Sequence, residues 1–291
     1  MATRPPHLKG ILITVSGVLI LSPDSLLIRL IETDTCTLIF WRGLLMAAGL
    51  TVLVALRSHQ GVRNAFRAVG RKGLLVGGLM AAGTIFFVLA IIHTTVANTL
   101  IILGAGPLAA ALFSRTFLGE PVARRTWTAI FSALCGLGIT VSGNLQSGLL
   151  VGDLCALASA CCLGGQFAVV RSVPEVDMTP GVAIGGLMAA ALVFPLATPW
   201  AVAGNDVLYL LLLGLVVLPL SLGLIVLGPR YLPAPEVNLL MLLEMVIGPY
   251  WVWLALGEQP GTQAFIGGAI VLTTLAVHSA VGLQQERRCS S

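Results

Sequence analysis

Ten long apolar runs occupy most of the chain, and short polar linkers separate them. A helix needs about 20 consecutive apolar residues to cross the hydrocarbon core of a bilayer. The 291 residues are 57% hydrophobic and 10% charged, whereas a soluble domain carries about 25% charged residues. The sequence therefore predicts an all-α integral membrane protein with ten transmembrane helices. The runs lie at about 9–31, 35–56, 73–93, 96–117, 126–143, 152–170, 180–200, 206–228, 235–256 and 262–282.

The positive charges predict the orientation of these helices. Cytoplasmic loops of membrane proteins carry an excess of Lys and Arg. If the N-terminus is cytoplasmic, Arg29 lies in an outer segment and Arg42 lies inside the second run, so the other 14 of the 16 basic residues fall on the cytoplasmic side. A missed helix would reverse the side of every later loop. We therefore expect a multi-pass protein of the cell's inner or plasma membrane with both termini in the cytoplasm.

Two of the runs resemble each other. Residues 97–120 (ANTLIILGAGPLAAALFSRTFLGE) and 235–258 (PEVNLLMLLEMVIGPYWVWLALGE) align at a constant offset of 138 residues, and both end in Leu-Gly-Glu. Because five runs separate them, an odd number, the two related halves must insert in opposite orientations. The pattern predicts an inverted repeat of five plus five helices, residues 1–147 and 148–291. Interrupted helices in matching halves indicate a transporter binding site.

Gly and Pro interrupt several of the runs. Proline frees a backbone carbonyl, and irregular backbone at membrane depth is tolerated only beside protein or a wet cavity. We therefore predict three candidate gating residues: Pro107, Pro249 and Asp24, the last of which directly follows Pro23. A cap for the short helix that follows is an equally good interpretation of Asp24.

Four stretches carry patterns of a known transporter family: IFWRGLL at 39–45, HTTVANTLIILGAGPLAAALFSRTFLGE at 93–120, GDLCALASACC at 152–162 and LLEMVIGPYWVWLALGE at 242–258. Together they resemble the drug/metabolite transporter superfamily, EamA type. The resemblance covers essentially the whole chain and implies two EamA repeats and export or exchange of small metabolites. Among members, the chain looks most like exporters of amino acids, including aromatic ones, and of drug-like cations. Members often have Glu-Pro in the ninth helix, whereas Glu244 precedes Pro249 by five residues here, which predicts a helix break shifted outward by about one turn.

Two charged residues lie deep inside apolar runs. Glu244 is near the middle of the ninth run, where a carboxylate costs roughly 2.5–3.5 kcal/mol on insertion scales. It suits a proton-coupling or amine-binding site, and the alternative is an acid that joins two helices. Arg42 could bind a substrate carboxylate with two hydrogen bonds. A structural pair is favoured for Arg42, because the resemblance places this Arg in members with different substrates.

Four neutral residues complete the predicted substrate site. Asn98, Gln166 and Asn238 carry amides inside apolar runs, where amides face protein or a cavity rather than lipid. Each could bind a zwitterionic substrate or a neighbouring helix. Phe86 is central in the third run and could line a cavity for an apolar side chain, although packing is the favoured interpretation.

These features predict a secondary transporter that works by alternating access. The substrate would lie at the midplane between helices 1, 3 and 4 of one half and 6, 8 and 9 of the other. The expected partners are a small-molecule substrate, with a proton as a candidate coupling ion, and the lipid bilayer. No nucleic acid is expected, because the basic residues lie beside helix ends, and no ATP, because the chain has no Walker A motif.

Cofactors, metals and catalytic residues are not expected. The six cysteines lack CxxC spacing, and the 12 acids and 4 histidines are scattered, without HExxH, a paired-Asp motif or a Ser-His-Asp candidate. An integral membrane enzyme acting on lipid-linked substrates is the alternative from another class. A transporter of nucleosides or polyamines is the alternative within the same class.

Overall fold

A computed structural model gives helices throughout the part of the chain that it describes. This part comprises residues 7–58, 61–94, 96–119, 121–142 and 150–256, with separate helical residues at 266, 269–270, 272–274, 276–278 and 280–281. These residues include no strand. The all-α prediction is therefore confirmed for them.

Among the continuous described segments, eight α-helices precede residue 143 and six follow residue 149. The first group is α1 (His7–Leu21), α2 (Asp24–Leu30), α3 (Thr35–Arg57), α4 (Val62–Ala68), α5 (Gly70–His93), α6 (Val96–Leu103), α7 (Gly106–Phe117) and α8 (Arg124–Ser142). The second is α9 (Leu150–Arg171), α10 (Thr179–Val193), α11 (Asn205–Leu211), α12 (Leu218–Ile225), α13 (Gly228–Tyr231) and α14 (Ala234–Leu256). A π-helical segment, Leu212–Val217, joins α11 to α12 just before Pro219.

Six helical stretches of the described residues are long and apolar enough to cross a membrane, and they correspond to runs 1, 2, 3, 6, 7 and 8. The fourth run is α6 and α7, the fifth is α8 and the ninth is α14. A multi-pass membrane protein is therefore supported, while the count of ten crossings stays a prediction. The six stretches are His7–Leu30, Thr35–Arg57, Gly70–His93, Val151–Arg171, Thr179–Leu196 and Asn205–Tyr231.

Two of the predicted interruptions are present and one is not. Ser22 and Pro23 form a turn between α1 and α2, and Gly104 and Ala105 form a turn between α6 and α7. In contrast, α14 continues through Pro249, so the expected break in the ninth helix is wrong. A proline can stay inside a membrane helix because neighbouring groups satisfy the carbonyl that it leaves free.

Contacts between helix ends show that α5 and α9 run in opposite directions. Near the start of α5, Lys72 Nζ donates a hydrogen bond of 3.0 Å to Ser172 Oγ, just after α9. Beyond the other end of α5, Thr94 Oγ1 donates one of 3.3 Å to Asp153 in the first turn of α9. We call the end of the molecule that holds Lys72 the basic end, because the α3–α5 linker there is rich in Arg, and we call the other the opposite end.

Contacts between helices of the two predicted halves occur in pairs, and the two contacts of a pair are related by interchanging the halves. If each run is matched with the run five places later, the α1–α12 contact corresponds to α5–α9, and α1–α14 corresponds to α7–α9. The α3–α10 and α7–α14 contacts correspond to themselves. This is the pattern expected of two related halves. The predicted boundary between residues 147 and 148 lies outside the described residues.

Glycines bring α10 against the backbones of α3 and α5. A Cβ atom on Gly43 of α3 would lie 2.5 Å from the carbonyl oxygen of Gly186, and one on Gly185 would lie 2.8 Å from that of Gly77 in α5. Small residues at such contacts let membrane helices approach closely. Gly181 and Gly185, four residues apart on one face of α10, both meet the backbone of α5.

Candidate functional site

A cavity lies among helices from both predicted halves. Its walls come from α1, α2, α3, α5 and α6 of the first half and from α9, α10, α12 and α14 of the second. Its empty space, including its opening, amounts to about 750 Å³. Each of the six apolar runs predicted to surround the substrate contributes residues to the wall, and so do α3 and α10. Three charged residues line the cavity: Asp24, Arg42 and Glu244.

Asp24 and Arg42 form a buried ion pair with two hydrogen bonds. Arg42 Nη1 donates to Asp24 Oδ1, and Nη2 donates to Oδ2 at 3.0 Å. Both residues are buried, and the Arg42 guanidinium lies 5.6 Å from the ring centroid of Phe87. Asp24 is the first residue of α2 and directly follows the turn formed by Ser22 and Pro23. The structural pair considered for Arg42 is therefore present, and Asp24 is its partner.

Glu244 lines the same cavity near the middle of α14. The residue is 8% exposed, and its carboxylate forms no hydrogen bond or ion pair with the described residues. An ionised carboxylate at this depth is costly unless a cation or hydrogen-bond donors face it. Asp24 and Arg42 pair with each other, so Glu244 is the charged residue of the cavity wall that needs a proton or a cationic partner from elsewhere.

The neutral candidates separate into two places. Gln166 is buried and lines the cavity, and Phe87 lines it as well, whereas Phe86 is not among the lining residues. Asn238 lies elsewhere: its Nδ2 donates to the Ala234 carbonyl at 3.3 Å. Its Oδ1 would be 2.9 Å from a Cβ on Gly106, so Asn238 packs against the start of α7, next to the break in the fourth run.

The predicted gating residues also differ in their positions. Asp24 belongs to the cavity wall, while Pro107 is buried in the first turn of α7, where its missing N–H removes no helical hydrogen bond. The side chains of Asn98 and Pro249 lie outside the described part of the chain.

Helical spacing could have revealed two wall residues that the sequence analysis missed. Ser159 lies seven residues before Gln166 on α9, hence on the same helix face, and both line the cavity. Its hydroxyl donates to the Gly83 carbonyl at 3.0 Å. On α5, Thr84 lies three residues before Phe87 and lines the cavity too.

A hydrogen-bonded network joins α3 to the segment after α10 at the opposite end. Asp34 is the N-cap of α3 and accepts from the Thr37 backbone N–H at 2.9 Å and from the Thr198 hydroxyl at 2.8 Å. The Thr198 N–H donates to Thr37 Oγ1 at 2.7 Å. Burial alone would raise the pKa of Asp34, but the hydrogen bonds from Thr37 and Thr198 outweigh it and hold this pKa below its usual value.

Comparisons with known proteins agree with this architecture. One solved structure, titled only "Crystal structure of protein", is similar over 94% of this chain and 98% of that chain, with a TM-score of 0.77 and 18% sequence identity. At this identity the likeness shows the fold alone. No curated protein matched the sequence.

The sequence model of the EamA-like transporter family matches residues 150–280. This segment contains α9–α14, which carry Gln166 and Glu244 of the cavity. The match supports the drug/metabolite transporter superfamily, and a transporter rather than an enzyme. Together with the apolar helices, it supports a multi-pass membrane protein that transports small solutes, similar to the EamA-like transporters.

Proposed function

We propose that this protein is a secondary transporter that exports or exchanges small metabolites carrying an ammonium group and an apolar body. Amino acids, including aromatic and other neutral ones, are the best candidates, followed by drug-like amines. The observation that carries this proposal is Glu244, a buried acid that lines the cavity without a partner among the described residues.

The charges of the cavity favour a solute with one positive charge. Asp24 and Arg42 neutralise each other through two hydrogen bonds. The cavity therefore has a net charge of −1 when Glu244 is ionised and 0 when it is protonated. One ammonium group or one proton balances this site. A polyamine brings more positive charges than the cavity wall can pair, and a nucleoside brings none for Glu244.

The rest of the cavity suits a solute with an apolar body and few polar groups. Its walls are largely aliphatic, with Phe87 and Phe167 as aromatic residues and Gln166 as an amide that can both donate and accept. The carboxylate of an amino acid would find a donor in the Gln166 amide, while Asp24 keeps the two Nη atoms of Arg42.

Alternating access follows from the position of the cavity between the halves. Both halves contribute walls, and the contacts between them occur in pairs that are related by interchanging the halves. Rocking of one half against the other would therefore expose the cavity to each side in turn. We propose that the basic end lies on the cytoplasmic side of the cell's inner or plasma membrane, because positively charged loops remain in the cytoplasm. A proton that competes with the substrate ammonium for Glu244 would couple transport to a pH gradient.

Flux into liposomes tests the proposal. We expect purified protein to take up radiolabelled neutral amino acids or quaternary cations when the liposome interior is more acidic than the bath, in a panel that also contains polyamines and nucleosides. Glu244→Gln should abolish the dependence on the pH gradient. Retained exchange of substrate in this variant would assign Glu244 to proton coupling, and loss of both activities would assign it to substrate binding.

Glu32→Gln is the matched control, since Glu32 is an exposed acid between α2 and α3 and should leave transport unchanged. The proposal is refuted if Glu244→Gln keeps the KM and the pH dependence of the unaltered protein. It is also refuted if no member of the panel crosses the membrane while a lipid-linked substrate is chemically converted.

A further inference from the structure

A second group of buried charges lies away from the cavity and is centred on Glu236. His7 Nε2 is 2.8 Å from Glu236 Oε2, and Arg125 Nη2 donates to Oε1 at 2.9 Å. His278 Nε2 approaches Oε1 at 3.7 Å. The side chains of Glu236, His7 and His278 are 5–10% exposed, and that of Arg125 is 25% exposed. We call these four residues the Glu236 cluster.

The Glu236 cluster joins the two predicted halves at the basic end. His7 begins α1 and Arg125 lies in the first turn of α8, both in the first half, whereas Glu236 lies in the first turn of α14 and His278 near the C-terminus, in the second. Lys9 of α1 faces the Tyr231 ring of α13, and Arg171 and Arg230 donate to the Pro229 and Pro174 carbonyls, so these cations bind groups other than Glu236.

The cluster is mechanically connected to the cavity through α14. Glu244 lies eight residues after Glu236, which is about 12 Å along a helix and close to the same face. The helices α1 and α14 pack against each other, and both contribute to the cavity wall. Separation of their ends beside Glu236 would widen the cavity toward the basic end.

The two ends of the molecule are held by different chemistry. At the opposite end the Asp34 network uses hydroxyl and backbone donors and an exposed carboxylate, while the basic end holds a buried carboxylate among cationic and imidazole groups. A buried ion pair is weak evidence for stability, and its best-attested use is in selecting a register or switching between states.

We propose that the Glu236 cluster is a latch that keeps the cavity closed toward the basic end. In this mechanism α1 and α8 must release Glu236 before the cavity opens to that side. Arg125 is already partly exposed, so it can exchange Glu236 for water as the helices part. Glu236 is thereby a positioning residue for transport: it sets which side of the membrane the cavity reaches and does not itself contact the substrate.

Chemical labelling tests the latch without any substrate. Val226 follows α12, lines the cavity and is 2% exposed, and Cys36 lies at the start of α3, at the opposite end. In protein that keeps Cys36 but has its other cysteines replaced by Ala, Val226→Cys reports access from the basic end. We expect Glu236→Gln to speed modification of this cysteine by a water-soluble methanethiosulfonate roughly tenfold, in the range of ordinary conformational coupling, with Cys36 unaffected.

Two controls separate a latch from general loosening. Glu175→Gln removes an exposed acid from the loop between α9 and α10 and should not change the rate, and Arg125→Lys keeps the positive charge beside Glu236 and should keep modification slow. Equal rates in Glu236→Gln and the unaltered protein would overturn the proposal. A parallel increase at Cys36 would do the same, because it would mean unfolding.

If Glu236→Gln does not yield a folded protein, His7→Gln provides the second test. It removes one contact of Glu236 and should speed labelling at Val226→Cys severalfold, and an unchanged rate overturns the latch. The latch and the proposed transport function can fail separately. Faster labelling without any substrate flux would retain the latch and reject the transport proposal.

Discussion

The pair formed by Asp24 and Arg42 permits a quantitative test of how this cavity is built. Asp24→Leu removes the carboxylate to which the Arg42 guanidinium donates two hydrogen bonds, and Arg42 is only 4% exposed. Removal of one member of a buried ion pair typically costs about 3–5 kcal/mol. We expect Asp24→Leu and Arg42→Met each to lower the free energy of unfolding by this amount.

The double variant Asp24→Leu/Arg42→Met should be much less destabilised than either single variant. Replacement of a whole buried ion pair by apolar residues of similar size is often neutral or stabilising, because neither partner is left uncompensated. Unfolding in mixed micelles, followed by circular dichroism, measures all corners of this double-mutant cycle. Single variants within about 1 kcal/mol of the unaltered protein, or a double variant that costs the sum of the singles, would refute the assignment of this pair as structural.

Three further perturbations have defined outcomes. Gly185→Val should lower the free energy of unfolding by about 1–3 kcal/mol through overpacking between α10 and α5, whereas Gly78→Ala, where a Cβ meets nothing within 4 Å, should not change the melting temperature. Because the pKa of Asp34 is lowered in the folded protein, its stabilisation is present at neutral pH and is lost as the pH falls below the ordinary value of 3.8. Asp34→Asn should therefore lower the melting temperature at pH 7 more than at pH 3, and equal losses would contradict this. Phe87→Ala should raise the KM of aromatic substrates roughly tenfold, since apolar burial against such a wall contributes about 1.5–3 kcal/mol, while Phe86→Ala should have a smaller effect in the same flux assay.

Composition and the length of the apolar runs were sufficient to predict an all-α membrane protein. Within the described residues, runs such as 35–56 became helices whose bounds agree to within a few residues, in this case α3 (Thr35–Arg57). Depth inside a run also identified Arg42, Gln166 and Glu244, all of which line the cavity. The cost of charged and amide groups in lipid depends mainly on depth, which sequence position reveals, while the roles proposed for these three residues stay predictions.

Finer features depended on geometry that no linear pattern contains. The choice between Phe86 and Phe87 is a rotation of about 100° around α5, and the sequence does not state which face meets the cavity. Gly-Pro predicted a break in two runs, yet only α6 and α7 are separated while α14 continues. Contacts with neighbouring helices decide whether a proline ends a membrane helix. The partnership of His7 with Glu236 joins residues 229 positions apart, and only the fold reveals it.

The glycine contacts of α10 have a consequence for how such a molecule can move. Where Gly186 meets Gly43 and Gly185 meets Gly77, main chain lies directly on main chain, with Met46 and Met80 as neighbouring side chains. Sliding along this seam would drive backbone atoms into each other, while tilting about it would not. We therefore expect α3, α5 and α10 to act as a fulcrum, with the largest excursions in the helices farthest from it.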